Sequence, residues 1–236
     1  MTCTRLRCAL LLAAALLPAT AAAEPGHYQL DPVHTRVLFR IDHAGFSRAL
    51  GTFSGASGEL LFDPEDWRSA HVDVNIPLQR LDLGDPDWNE RVLGRPFLDA
   101  GRHPQAHFRS TRVEPGDALS ARVYGELSLR GESAEVVLDV RLNALRRHPL
   151  TFRRTAGFSA SARLDRRDFG MDAWPNVIGQ TVELWIEAEA VQVRGKAPAQ
   201  RKVPAGPSGD GPRDGVKMEP DPATDTETDD ADPQSS

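Results

Sequence analysis

Cysteine is nearly absent from this 236-residue chain, and the two that occur, Cys3 and Cys8, lie in its first eight residues. They belong to the stretch MTCTRLRCALLLAAALLPATAAAE, in which Arg5 and Arg7 precede an apolar run from Ala9 to Leu17, then Pro18 and small residues. This pattern is expected to be a cleavable export signal over residues 1–23, cut after Ala23 and leading to the periplasm or outside the cell. Neither cysteine follows the small-residue cleavage region, where a lipid-anchored one would stand. The mature body is therefore expected to have no thiol, disulfide or lipid anchor. Long apolar runs are equally scarce: the one in the signal is about half of the roughly 20 residues a membrane-spanning helix needs, and no second one follows. A body of about 170 residues without disulfides must be held by its core, and at that size roughly 70% of the unfolded surface can be buried.

Basic residues are outnumbered. Without the two signal arginines, 26 basic residues face 34 acidic ones, a formal charge of −8. Such a surface, with no basic stripe interleaved with aromatics, does not favour nucleic acid or anionic membrane as a partner.

Residue patterns that carry chemistry are missing too. There is no H-E-x-x-H or cysteine-rich spacing. His34 and His43 stand nine residues apart, and Pro104 between His103 and His107 disfavours a shared helical face. These histidines are expected to be structural, with no metal bound. The run FSGASG at 53–58 joins two strands and is no nucleophile elbow. Asp168-Phe169-Gly170 lacks the glycine-rich loop, strand lysine and catalytic loop that a kinase metal turn requires, so it reads as a strand-end turn with Phe169 packed inward. No catalytic residue and no cofactor are expected, and the chain reads as a binding protein rather than an enzyme.

What is present is a period of two. Val37, Phe39 and Ile41 alternate with Arg36, Arg40 and Asp42; Ala70, Val72, Val74 and Ile76 alternate with His71, Asp73 and Asn75. The same pattern covers residues 119–129, 136–142, 158–164 and 182–190. Alternate side chains of a strand lie on opposite faces, so each segment has one apolar and one polar face. Many short strands separated by Gly, Pro and Asp turns indicate an all-β sandwich or barrel. The interruption is residues 84–104. Asp85 can cap a helix there, Pro86 suits its first position, and Gly94 and Pro96 should stop it. One or two short helices are expected around residues 86–103, carrying Trp88, Val92, Phe97 and Leu98 onto the sheet. From residue 194 to 236 the chain turns rich in Pro, Gly, Asp and Thr, and this acidic tail is expected to be disordered.

In this order and spacing, YQLDPVH (28–34), GTFSGASGELLFDP (51–64), IPLQRLDLGDPD (76–87), RPFLD (95–99), HPQAHFRST (103–111), GELSLRG (125–131), AGFSA (156–160) and RDFGM (167–171) resemble the YceI-like family of periplasmic polyisoprenoid-binding proteins. The resemblance covers residues 27–193; Glu132-Ser133-Ala134-Glu135 departs from the family's usual Lys-Pro after the hairpin glycine. It implies an extended eight-stranded antiparallel barrel, similar in shape to lipocalins, whose lumen holds an isoprenoid lipid such as a quinone or polyprenyl phosphate. The residues expected to line that lumen are Val37, Phe39, Ile41, Phe46, Phe53, Val72, Val74, Ile76, Phe97, Phe108, Leu127, Leu138, Phe158 and Leu184. A polar head group would meet Trp88, Arg91, Asp168 and Trp174 at the mouth. Periodicity by itself does not separate an open lumen from a filled core. The alternative is a secreted interaction module with a filled core that binds a protein partner, and an unpaired strand edge would let a second copy add to form a homodimer.

Overall fold

Among the described residues every strand pairing is antiparallel, and all the strands belong to one sheet. The computed structural model describes residues 25–194; the expected signal and the acidic tail lie outside the described residues. The strands are β1 (Gly26–Leu30), β2 (Arg36–His43), β3 (Ser47–Ser54), β4 (Ser57–Phe62), β5 (His71–Pro77), β6 (Leu81–Asp82), β7 (Gln105–Pro115), β8 (Ser120–Leu129), β9 (Glu132–Arg147), β10 (Arg154–Asp165) and β11 (Ile178–Gln192). The order β1-β4-β5-β7-β8-β9-β10-β11 returns to β1 through the pairs Tyr28↔Gln192 to Leu30↔Ala190, so eight strands close a barrel. Closure satisfies the backbone groups that an open edge would expose.

The other three strands complete the wall toward one end. The long strand β11 pairs with β1 through its last residues and with β2 through Val182–Glu187. β1 and β2 are thus two halves of one bent stave, and β3 and β4 form another, bent at Gly55. The first bend is made by Asp31, whose Oδ1 accepts from the main-chain N–H groups of Val33 (2.8 Å) and His34 (3.3 Å) while Oδ2 meets His34 Nδ1 at 2.8 Å. An Asp placed this way builds a turn from its own side chain. His43 and Asp42 close the far end of β2, where Asp42 Oδ1 accepts from Gly45 N–H at 3.0 Å.

Two devices displace the period of two. In β7 the register shifts between Ser110 and Arg112, so Ala106, Phe108 and Ser110 are buried in one phase and Val113 in the other. Between β9 and β10 a similar shift falls at Gly157/Phe158, where Asn143 of β9 is the added residue. Such bulges add a residue to one strand and bend it, as a closed barrel requires.

The helical insertion is one helix, α1 (Pro86–Leu93), with Pro86 in the first turn and Asp85 accepting from Trp88 N–H at 2.8 Å. It ends at Gly94. Residues 94–104 then continue as turns, and Leu98 is buried against the wall. A short 3-10 turn at Arg166–Phe169 follows β10; there Phe169 is 1% exposed and points inward.

Candidate ligand-binding cavity

Strand register carries the inward side chains into rows that run around the barrel. Val37 lies opposite Ile186, which lies opposite Ala160, then Val140 and Ala121. Another row runs from Ala134 through Leu127, Phe108 and Val74 to Gly58. Large residues face small ones. A Cβ on Gly51 would stand 2.4 Å from Phe39 Cζ, and one on Gly125 would stand 2.4 Å from Phe108 Cζ. The two aromatic rings therefore fold back over glycine, which keeps them from crossing the lumen.

What the rows enclose is a cavity of about 910 Å³ with an almost wholly apolar wall. β2 contributes Val37, Phe39 and Ile41; β3 contributes Phe53; β5 contributes Val72, Val74 and Ile76. Phe108, Leu127, Leu138, Phe158 and Leu184 come from β7, β8, β9, β10 and β11, and Phe97 from the loop after α1. Thirteen of the fourteen residues expected at the lumen thus stand together on one wall. Phe46 does not: it is 91% exposed and sits after a tight turn whose central residues, Ala44 (φ 57°) and Gly45 (φ 71°), are both left-handed. The alternation of β2 stops at His43, and the turn that follows leaves the Phe46 ring outside the barrel.

One end of the lumen is filled. Phe62 packs edge to face on Trp67 (5.0 Å between ring centroids) and on Phe158 (5.4 Å), and Tyr28, Ala156 and Ala190 are buried at the same level. The indole Nε1 of Trp67 is buried there without a hydrogen-bond partner. The other end is a mouth, bordered by α1, the β2–β3 turn and the loop before β11. Trp88 meets His43 edge-on at 6.1 Å, and Trp174 meets Phe97 in the same way at 6.1 Å. Trp88, Arg91 and Trp174, expected near a head group, all border the cavity. Asp168 does not: it faces solvent on the 3-10 turn, because Phe169 and Arg166 occupy the inward positions of that turn.

Arg166 is a polar residue of the site that sequence reasoning missed. It is 3% exposed, borders the cavity, and donates to the carbonyls of Gly179 (Nε, 2.9 Å), Ile178 (Nη2, 3.2 Å) and Met171 (Nη1). No carboxylate lies within ion-pair distance of it among the described residues, and burial pushes its pKa down. Its neighbours show the contrast. Asp165 accepts from Arg167 N–H (2.9 Å) and Nε (3.0 Å), and these bonds hold its pKa at about 2. In the sequence, Arg166 and Arg167 are indistinguishable; only the turn decides which one enters the mouth.

Two histidines of β5 and β7 have partners on the sheet. His107 Nε2 meets Asp73 Oδ1 at 2.7 Å, and His71 Nδ1 meets Ser110 Oγ at 3.1 Å.

A YceI-like domain model matches residues 28–190. The chain is 33% identical over 182 residues to a protein of Salmonella arizonae called Protein YceI, covering 76% of this chain and 94% of that one. Among solved structures it is similar to Burkholderia cenocepacia BcnA, with a TM-score of 0.62 and 21% identity over 68% of this chain and 98% of that one. It is also similar to a polyisoprenoid binding domain from Saccharophagus degradans implicated in plant cell wall breakdown, with a TM-score of 0.51 and 15% identity over 70% and 98% of the two chains.

Proposed function

The chain belongs to the YceI-like family, and on that premise we propose that it binds an isoprenoid lipid, a quinone or a polyprenyl phosphate, in the barrel lumen and carries or sequesters it in the periplasm without covalent chemistry. The observation that carries this reading is the apolar cavity of about 910 Å³, filled at one end and open at the other. A slender branched chain suits it, because the wall offers methyl and ring surfaces and few polar partners. Each methylene-sized group taken from water contributes about 0.8 kcal/mol, offset in part by the ordering of the chain. The described relative from Saccharophagus degradans, a polyisoprenoid binding domain of the same fold, supports the same class of ligand.

The head group would remain at the mouth. Arg91 and the buried Arg166 supply positive charge there, and Trp88 and Trp174 supply flat apolar faces. A phosphate would draw on both arginines, whereas a quinone ring would stack on the tryptophans and accept one hydrogen bond.

Native mass spectrometry of protein isolated from its own periplasm tests the reading. An added lipid mass is expected, and Ile76→Asp should remove it, because a carboxylate on that wall has no partner. Parent protein of bare chain mass, with no isoprenoid in its solvent extract, would overturn the proposal.

A further inference from the structure

At the filled end of the barrel, β9 and β10 continue past their neighbours as a hairpin with the sequence RRHPLTFRR, residues 146–154. β8 reaches β9 only as far as Arg141, and β11 reaches β10 only as far as Thr155. His148 builds the tip. Its Nδ1 accepts from Leu150 N–H (3.2 Å) and Thr151 N–H (3.3 Å), its N–H donates to Arg153 O (2.8 Å), and its carbonyl accepts from Phe152 N–H (2.8 Å).

Three local costs meet in this hairpin. Leu150 is 82% and Phe152 70% exposed. Phe152 has a φ of 57°, a left-handed backbone that an aromatic residue adopts only when its surroundings dictate it. Arg147 stands directly opposite Arg154, and like charges so placed weaken a sheet. Among the described residues, none of Arg146, Arg147, Arg153 and Arg154 is within ion-pair distance of an acidic side chain. Arg147 Nη1 donates to the carbonyl of Phe152 at 3.0 Å and so braces the tip, but the collar's positive charge meets no acidic side chain on the barrel, so its use lies outside.

We propose that this hairpin docks the protein on an anionic lipid surface, with Leu150 and Phe152 entering the head-group layer and the four arginines facing lipid phosphates. One six-residue turn exposes far less than the roughly 1,000 Å² that a stable protein interface needs. A bilayer asks only for a small apolar tip with basic residues beside it. The net negative charge of the chain, which argues against anionic membranes on average, makes the hairpin a local exception that fixes orientation. β10 alone spans 12 residues, about 40 Å at the rise of a strand, between the hairpin and the mouth. Docking this way therefore leaves the mouth facing away from the bilayer, and it does not depend on what the lumen holds.

Flotation of residues 24–236 with vesicles tests this. Binding is expected to vesicles containing one-third phosphatidylglycerol and not to pure phosphatidylcholine, and it should fall at least tenfold between 0.05 and 0.5 M salt. R146S/R147S/R153S/R154S and L150S/F152S should each weaken binding at least tenfold with thermal unfolding midpoints near that of the parent. In F152W, the added tryptophan emission should shift to the blue on anionic vesicles and be quenched by brominated acyl chains. Absence of that shift, or anionic-vesicle binding by the arginine variant equal to that of the parent, overturns the proposal. Binding to soluble polyglutamate as tight as to vesicles, with L150S/F152S unaffected, also overturns it, in favour of an acidic protein partner.

Discussion

Aromatic rings meet edge to face at both ends of the barrel, yet the two ends use the same geometry differently. At the filled end, Phe62, Trp67 and Phe158 lie 5.0 to 6.5 Å apart, with Phe62 1% exposed and clamped by strands on both sides. At the mouth, Phe97 and Trp174 meet at 6.1 Å, but Trp174 is 62% exposed and stands on a loop. In the first set Phe62 and Trp67 are only 1% and 7% exposed and bound the closed end of the lumen, so most of their contact energy goes into holding the fold. The second has one face left open, so its contact energy is available to whatever enters. Ring chemistry alone does not tell a structural aromatic from a binding one; the number of unoccupied faces does.

The strongest way to break this contrast is to truncate one ring at each end. Phe62→Ala should cost about 3–5 kcal/mol in denaturant unfolding, because the cavity left among strands collapses only partly. Trp174→Ala should change stability by about 0.5 kcal/mol or less while speeding release of bound lipid. Equal losses of stability at the two ends would dissolve the distinction. A smaller effect is expected midway, where Gly51→Val sets a side chain against the Phe39 ring. The displaced ring must turn into the lumen, costing about 1–3 kcal/mol and shrinking the space for lipid. Titration with a lipid of fixed length should show reduced occupancy, and unchanged occupancy would mean that the wall gives way elsewhere.

The smallest expected effect concerns the mouth's polar frame. The pKa of Asp165 is held at about 2 by Arg167, against an ordinary value of 3.8. A lowered carboxylate pKa stabilises the folded state above the unfolded value, and that contribution is lost as pH falls from about 4 toward 2. Because the Asp165 side chain is about a third exposed to solvent, the contribution is modest. Asp165→Asn should narrow the gap between the unfolding midpoints measured at pH 6 and pH 2.5. A gap as wide as in the parent would place the acid sensitivity in another carboxylate, such as Asp73. Burial opposes ionisation of Asp73, but its bonds to His107 and Arg109 outweigh that and lower its pKa as well.

Much of this architecture is legible in residue order. Val37, Phe39 and Ile41, like Val72, Val74 and Ile76, alternate so regularly that both strand and inward face follow from the period alone. β3 is harder to read: its inward residues are Ala49, Gly51 and Phe53, and Gly51 is bare because the Phe39 ring of β2 occupies the space beside it. β7 is hidden for a different reason, since the bulge at Ser110–Arg112 reverses the phase halfway along. The mouth was the least legible part. Its residues sit on turns, where one or two positions exchange inside for outside, as with Asp168 against Phe169 and Arg166.

A lumen with one filled end is also a ruler. A chain that enters can advance only until it meets Phe62 and Trp67, so any surplus length must remain outside the mouth rather than thread through. Short and long homologues would then share the same buried segment and differ only in how far the head group stands from Trp88 and Arg91. Selection among them would rest on whether the head can reach its polar contacts when the tail is fully seated.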